Sequence, residues 1–257
     1  MRSLGRGSAG GAPGSQPLQL TLWSDRDVGT AWNVRISRRA RRMSMRVFPG
    51  GRVEVVVPPA TGLAAVERFV ARHREWAERR SRELRLLTPK AAERQPSTVE
   101  LALLDRTWSV DYVPGRRVRA EEVAASRLVV HAPSFTDRYV SQALVPWLVR
   151  LAAHELSARL RPLASQLDVD YARMSVRRQR TRWGSCSARG TISLNVCLMF
   201  QRPEVVRYLM VHELCHRRYM NHSRRFWALV AEHEPAWEPL DVELLQGWRN
   251  VPAWVFT

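Results

Sequence analysis

The segment His212-Glu213-Leu214-Cys215-His216 matches the pattern H-E-x-x-H. On a helix, residues four apart stand about 40° from each other around the axis and about 6 Å along it. His212 and His216 can therefore offer two imidazoles to one ion. Glu213 follows the first of them and can reach a water bound to that ion. Two ligands and a general base on one element make the arrangement of a zinc hydrolase.

A catalytic zinc takes three protein ligands and leaves one position open. His222 is the first candidate for the third ligand. Glu232 and Glu234, on the next helix, compete for that place. On a continued helix His222 would lie about 240° around the axis from His216, on the wrong face. The helix must therefore end near Tyr219 to Asn221 and let the chain turn back. Asn221 tolerates the left-handed conformation that often closes a helix. The spacing from His216 to His222 equals that of the metzincin signature. That signature has glycine where this chain has Tyr219, and no methionine follows Met220 to form a Met-turn.

The positioning elements are legible around the motif. Pro203 suits a first helical turn, where the amide hydrogen it lacks would have no partner. Glu204 adds negative charge near the helix start. Val205, Val206, Tyr208, Leu209, Met210 and Val211 form a run too apolar for a surface helix, so the ligands should sit on a buried one. After the motif, Ser223 can cap a second helix through Phe226, Trp227, Leu229 and Val230, ending before Pro235. Before it, Tyr171 to Arg177 and Arg182 to Ser187 read as short strands. Thr191 to Leu198 alternates Ile192, Leu194 and Val196 with polar residues and cysteine, as a strand does. His154-Glu155 begins like the zinc motif, but Ala158 holds the place of the second ligand, so this pair is assigned to packing.

Asn221-His222-Ser223 and Phe226-Trp227 after H-E-x-x-H resemble the YgjP-like metallopeptidases, which are similar to the SprT-like ones. Arg180-Thr181-Arg182-Trp183-Gly184-Ser185-Cys186-Ser187, with Gly190, Ile192, Leu194 and Asn195, resembles that family's other signature. Arg38-Arg39-Ala40-Arg41-Arg42-Met43-Ser44 and Val55-Val56-Val57-Pro58-Pro59 resemble its N-terminal part. The resemblance implies one Zn²⁺ per chain held by His212, His216 and His222, with Glu213 as catalytic base. It implies an α+β fold with a zincin-like core, an N-terminal β-rich lobe and a long amphipathic helix. In zincin folds a strand such as Thr191 to Leu198 often forms the sheet edge beside the zinc helix, and a peptide adds to it as another strand. By resemblance Arg182, Trp183, Ser185 and Asn195 stand at the rim as substrate-binding candidates.

The 257 residues carry 41 basic and 24 acidic side chains, a net charge of +17. Only Lys90 is lysine. Such a surface attracts polyanions, and Arg35, Arg38, Arg39, Arg41, Arg42 and Arg46 form its densest cluster. That cluster is either a solvated sheet face or a polyanion-binding strip. Cys186, Cys197 and Cys215 lack zinc-ribbon spacing and read as small buried hydrophobes. Met1 to Pro17 has no apolar core of a signal peptide, and no apolar run is long enough for a bilayer. A cytoplasmic protein without membrane contact is expected.

The remaining chain divides into a disordered basic tail over 1–30, an N-terminal α+β lobe over 31–165 and a catalytic lobe over 166–257. Val34 to Val57 reads as two strands around a Pro49-Gly50-Gly51 turn. Leu63 to Leu87 recurs at helical spacing through Val66, Phe69, Val70, His73 and Trp76. Thr88 to Pro96 reads as a linker. Val99 to Leu103, Trp108 to Val113 and Leu128 to His131 read as strands. Asp137 is a plausible cap for a helix that Pro146 should kink or restart.

The leading expectation is a metallopeptidase in which Glu213 activates a zinc-bound water. A nucleotide pyrophosphatase is the alternative, with Arg177, Arg178, Arg180 and Arg182 taking up phosphoryl charge. A nucleic-acid-associated protein with accessory protease activity is the third reading.

Overall fold

The computed structural model describes residues 32–48, 50–85 and 95–257. The expected tail over 1–30, the residues 88–94 of the expected linker, and Pro49 lie outside these. The chain is mixed α and β, with three small sheets and five α-helices among the described residues. It divides into two compact units.

Of the described residues, the first unit holds 32–47 and 51–81. Strand β1, Trp32–Ile36, pairs parallel with β3, Val53–Val57, and β2, Ser44–Val47, pairs antiparallel with the other side of β3. The expected pair of strands is thus a trio. The arginine run from Arg38 to Arg42 interrupts the alternation and separates β1 from β2. Gly50 and Gly51 have φ of 84° and 79° in the turn between β2 and β3, a region open to glycine. Helix α1, Leu63–Arg85, lays Val66 and Val70 on Val34, Val55 and Val57.

Of the described residues, the second unit holds 48, 50, 82–85 and 95–257. Its larger sheet has the order β4-β5-β7-β6, built from Thr98–Leu101, Arg106–Pro114, Arg127–Ala132 and Arg119–Ala124. Strand β6 was not expected, because Arg119-Ala-Glu-Glu-Val-Ala carries only a weak apolar alternation. Helix α2, Asp137–Gln166, packs on β6 and β7 and also on β8. Its cap is Thr136, whose hydroxyl accepts from the Tyr139 amide, and Asp137 is already the first helical residue. Pro146 and Pro162 lie inside the helix without ending it. The buried stripe from Val140 through Leu144, Leu148, Leu156 and Leu160 holds the helix together where each proline removes a backbone hydrogen bond.

The smaller sheet of this unit packs against the helix that carries His212-Glu213. Strands β8, Arg173–Arg177, β9, Gly184–Cys186, and β10, Thr191–Asn195, lie in the order β8-β10-β9. Strand β10 is therefore the middle strand, not the expected edge, and it ends at Asn195 in a 3-10 turn over Val196–Phe200. The edge on this side is β9. Helices α3, Pro203–Cys215, α4, Arg224–His233, and α5, Trp237–Gln246, follow, and α3 packs on β9, α2, α4 and α5. No described helix is long and apolar enough to cross a membrane.

Candidate metal centre

Helix α3 starts as expected, with Pro203 in its first turn and Glu204 beside it. Val205, Val206, Tyr208, Met210, Val211, Leu214 and Cys215 are all sealed from solvent, so the helix is a core element. It stops earlier than expected, at Cys215, with His216 as the cap residue. The Arg217 amide bonds to the Leu214 carbonyl and the Arg218 amide to that of Cys215, both three residues back. These tight bonds turn the chain away, and Asn221 does not take a left-handed conformation. The direction of the turn nonetheless returns His222 to the exposed side of His212.

His212, His216 and His222 form the one group of potential metal ligands among the described residues. Their ligand atoms all lie within 4.8 Å of one another. The Nε2 atoms of His212 and His222 are 3.1 Å apart. Two imidazole nitrogens that close repel unless a proton or a cation lies between them. The competing carboxylates are elsewhere: Arg207 binds Glu234, and Glu232 is exposed.

The rings are held from behind. The carbonyl of Tyr219 is 3.0 Å from Nδ1 of His216 and can only accept, so that nitrogen donates and Nε2 keeps its lone pair. Phe226 stacks on His216 at 4.5 Å and meets His212 and His222 edge-on. Trp227 lies over His222 and stacks on Trp237. Ser223 makes this wall possible by capping α4 at the Phe226 amide. Burial, with His216 and His222 beside it, pulls the His212 pKa down to about 3, and burial lowers that of His216 too. Both rings are thus neutral near pH 7, the form that donates a lone pair.

Glu213 is 4% exposed, and its Oε2 has no hydrogen-bond partner. Burial pushes its carboxyl up to about 8, against the opposing pull of the Arg182 guanidinium. A Cβ placed on Gly184 would stand 2.4 Å from Oε1 of Glu213. Glycine at 184 is thus what leaves room for the carboxylate beneath β9. An orphaned carboxylate oxygen on the residue that follows His212, one of three converging imidazoles, suits a divalent cation with a water next to it.

The four rim candidates separate. Arg182 is exposed and close enough to Glu213 to act on its charge. Ser185 is half-buried on β9. Trp183 is buried and stacks on Trp248 at 4.2 Å, its indole nitrogen without a partner. Asn195 is 0% exposed. Its amide nitrogen donates to the carbonyls of Gln179 and Arg182, and its oxygen accepts from the Cys197 amide. Asn195 therefore ties down the 179–182 loop. Arg178 and Arg180 donate to the carbonyls of Val255 and Phe256, so two of the four phosphate candidates are bound to backbone. Of the cysteines, Cys197 and Cys215 are buried as expected, but Cys186 is only half-buried.

Motif and spacing do not reach Tyr208 and Asp241 as site residues. Tyr208 is one helical turn before His212, which is a signal of a shared face, but its place in an apolar run reads as core. Its hydroxyl donates to Oδ1 of Asp241 at 2.7 Å and lies 3.4 Å from Nδ1 of His212. Burial, then the bond to Asp241, raises its pKa.

No curated protein matches the chain. The family model described as YgjP-like, metallopeptidase domain, matches residues 41–246, well over half of the 257. The match takes in β2 through α5 and with them every residue of the centre just described, so the chain belongs to the YgjP-like metallopeptidase family.

Proposed function

We propose that the protein is a zinc-dependent metallopeptidase with a zincin-like core, in which His212, His216 and His222 hold one Zn²⁺ and Glu213 is the general base. The observation that carries this reading is the convergence of three imidazoles, one of them followed in the chain by a buried carboxylate with an unpartnered oxygen, within a metallopeptidase domain. When bound, zinc supplies Lewis-acid polarisation of a carbonyl and makes a nearby water more acidic.

The chain's own residues do the rest. Oε2 of Glu213 takes a proton from the attacking water and later hands it to the leaving amine nitrogen. Burial keeps this carboxylate a stronger base than an exposed one, and Arg182 limits the effect. The imidazoles of His212 and His216 enter as neutral donors, and Phe226 and Trp227 exclude water from the back of the rings.

The edge of β9 gives an extended peptide a place to lie. The Asn195 amide bonds to the Trp183 carbonyl, and the Ser187 amide bonds to the Thr191 carbonyl. By the alternation of antiparallel pairs, the backbone groups of Gly184 and Cys186 point away from β10. A substrate strand added there passes directly over Glu213. Arg182 and Ser185 are the side chains open to it, with Trp183 and Asn195 holding the loop beneath. The exposed Arg38, Arg39, Arg41 and Arg42 of the other unit favour an accessory contact with polyanions.

Zinc-loaded protein incubated in parallel with casein and with nucleoside triphosphates tests the reading. Cleavage of casein alone is expected. Release of pyrophosphate without peptide cleavage would overturn it in favour of nucleotide hydrolysis.

A further inference from the structure

Tyr208 sits one turn before His212 on α3 and is sealed from solvent. Asp241 comes from α5 and is exposed. An ionised carboxylate only accepts hydrogen bonds, so the single Tyr208 proton goes to Oδ1 of Asp241, at 2.7 Å. The phenolic oxygen then has only lone pairs left for Nδ1 of His212, at 3.4 Å. A bare Nδ1 would set lone pair against lone pair; a protonated one is attracted. The proton of the neutral ring therefore belongs on Nδ1, and Nε2 faces His222 as a free donor. His216 reaches the same state by a different route, through the Tyr219 carbonyl.

We propose that Asp241 and Tyr208 form a relay that fixes the orientation and tautomer of His212, and thereby sets how tightly the centre holds its metal. Tyr208 and Asp241 are positioning residues: neither reaches the reacting atoms. This inference rests on the functional reading above, and it makes α5 part of the metal centre although α5 supplies no ligand. Partners of this kind, bonded to the far nitrogen of a ligating histidine, typically contribute about 10–100-fold in metal affinity.

A bond between Tyr208 and Asp241 also ties α3 to α5, and a role confined to that tie would alter melting without touching the imidazole. Three measurements on Tyr208→Phe, Asp241→Asn and the wild type separate the two roles. They are zinc affinity by competition with a chromogenic chelator, imidazole ¹⁵N shifts of the metal-free protein, and metal-free thermal melting. Tyr208→Phe keeps the ring and removes one oxygen, and is expected to weaken zinc binding about 10–100-fold. Asp241→Asn retains an acceptor and should weaken it less. In the metal-free wild type His212 should carry its proton on Nδ1, and Tyr208→Phe should redistribute it. Zinc affinity equal to wild type in Tyr208→Phe, or a wild-type His212 protonated on Nε2, would overturn the relay alone. A wild type that takes up no zinc would overturn the functional reading and the relay together.

Discussion

Two of the chain's His-Glu pairs lie within the long helices α2 and α3, and three imidazoles converge at only one of them. His154-Glu155 sits on α2 and His212-Glu213 on α3. The His154 side chain is 80% exposed and turns to its neighbour, with Nδ1 3.3 Å from Oε1 of Glu155. Burial opposes ionisation of Glu155, but hydrogen bonds from Arg159 and His154 outweigh it and keep the carboxyl below its usual pKa. Glu213 has the opposite balance: burial dominates, no partner reaches Oε2, and the carboxyl is pushed up to about 8. One turn further on, α2 presents the exposed Ala158 and α3 presents His216. The same two letters thus give a mutually bonded, solvent-facing pair in one helix and, in the other, a buried carboxylate with an unpartnered oxygen. The helix face that turns toward the core makes the difference, and an unsatisfied group is what remains available for chemistry.

The largest effect should come from His212→Ala, which removes the imidazole that lies against both His216 and His222. Metal content, read by elemental analysis, should fall from about one ion per chain to near none, with turnover lost alongside.

Glu213→Gln comes next. Zinc should stay bound while peptide turnover drops about 10²–10⁴-fold. Its metal-free stability should also change in a defined direction. The folded carboxyl at about 8 lies above its ordinary value, so the folded state holds the proton more tightly than the unfolded chain. Stability is then full below about pH 4.5 and declines as pH rises toward 8. At pH 7 the burden is on the order of 3 kcal/mol. Glutamine carries no such burden, so denaturation of metal-free Glu213→Gln should show a flatter pH profile between 5 and 8. An unchanged slope would place the carboxylate in a wetter setting than its burial indicates.

Gly184→Ala sharpens the comparison from the other side of the carboxylate. The added methyl would meet Oε1 at 2.4 Å and displace it from beneath β9. If Glu213 is the proposed base, misplacing it by roughly 1 Å should cost about 10²-fold in rate, while chelator competition should give an unchanged zinc affinity.

The smallest effect belongs to Ala158→His, which completes H-E-x-x-H on α2. The new ring stands on a solvent face with no third histidine and no aromatic wall. Metal content should not rise, and stability should stay within about 0.5 kcal/mol. A second bound ion would show that the letters alone suffice.

Much of the site was legible because helical periodicity is local. Four-residue spacing put His212 and His216 together, Pro203 marked the start of α3, and Ser223 marked that of α4. The strands over Val99, Trp108 and Leu128 followed from alternation, whereas β6 did not, because its outward residues outnumber its buried ones. The cap is Thr136 rather than Asp137, and Pro146 does not restart α2 because the packed stripe outweighs one missing bond. The helix end moved from Tyr219 to Cys215 because tight three-residue bonds turn the chain without a left-handed residue.

By itself the sequence determined which residue types could gather a cation and on which helix face two of them lie. It also determined the family, since those letters and their neighbours recur as a pattern. Tertiary structure decided the rest: that His222 rather than Glu232 or Glu234 joins the pair, and that β9 rather than β10 is the open edge. It also decided that Asn195 and Trp183 are buried and that Asp241 bonds to Tyr208. These facts depend on where separate elements meet. Contacts between residues far apart in the chain are set by packing, and spacing along one element carries no record of them.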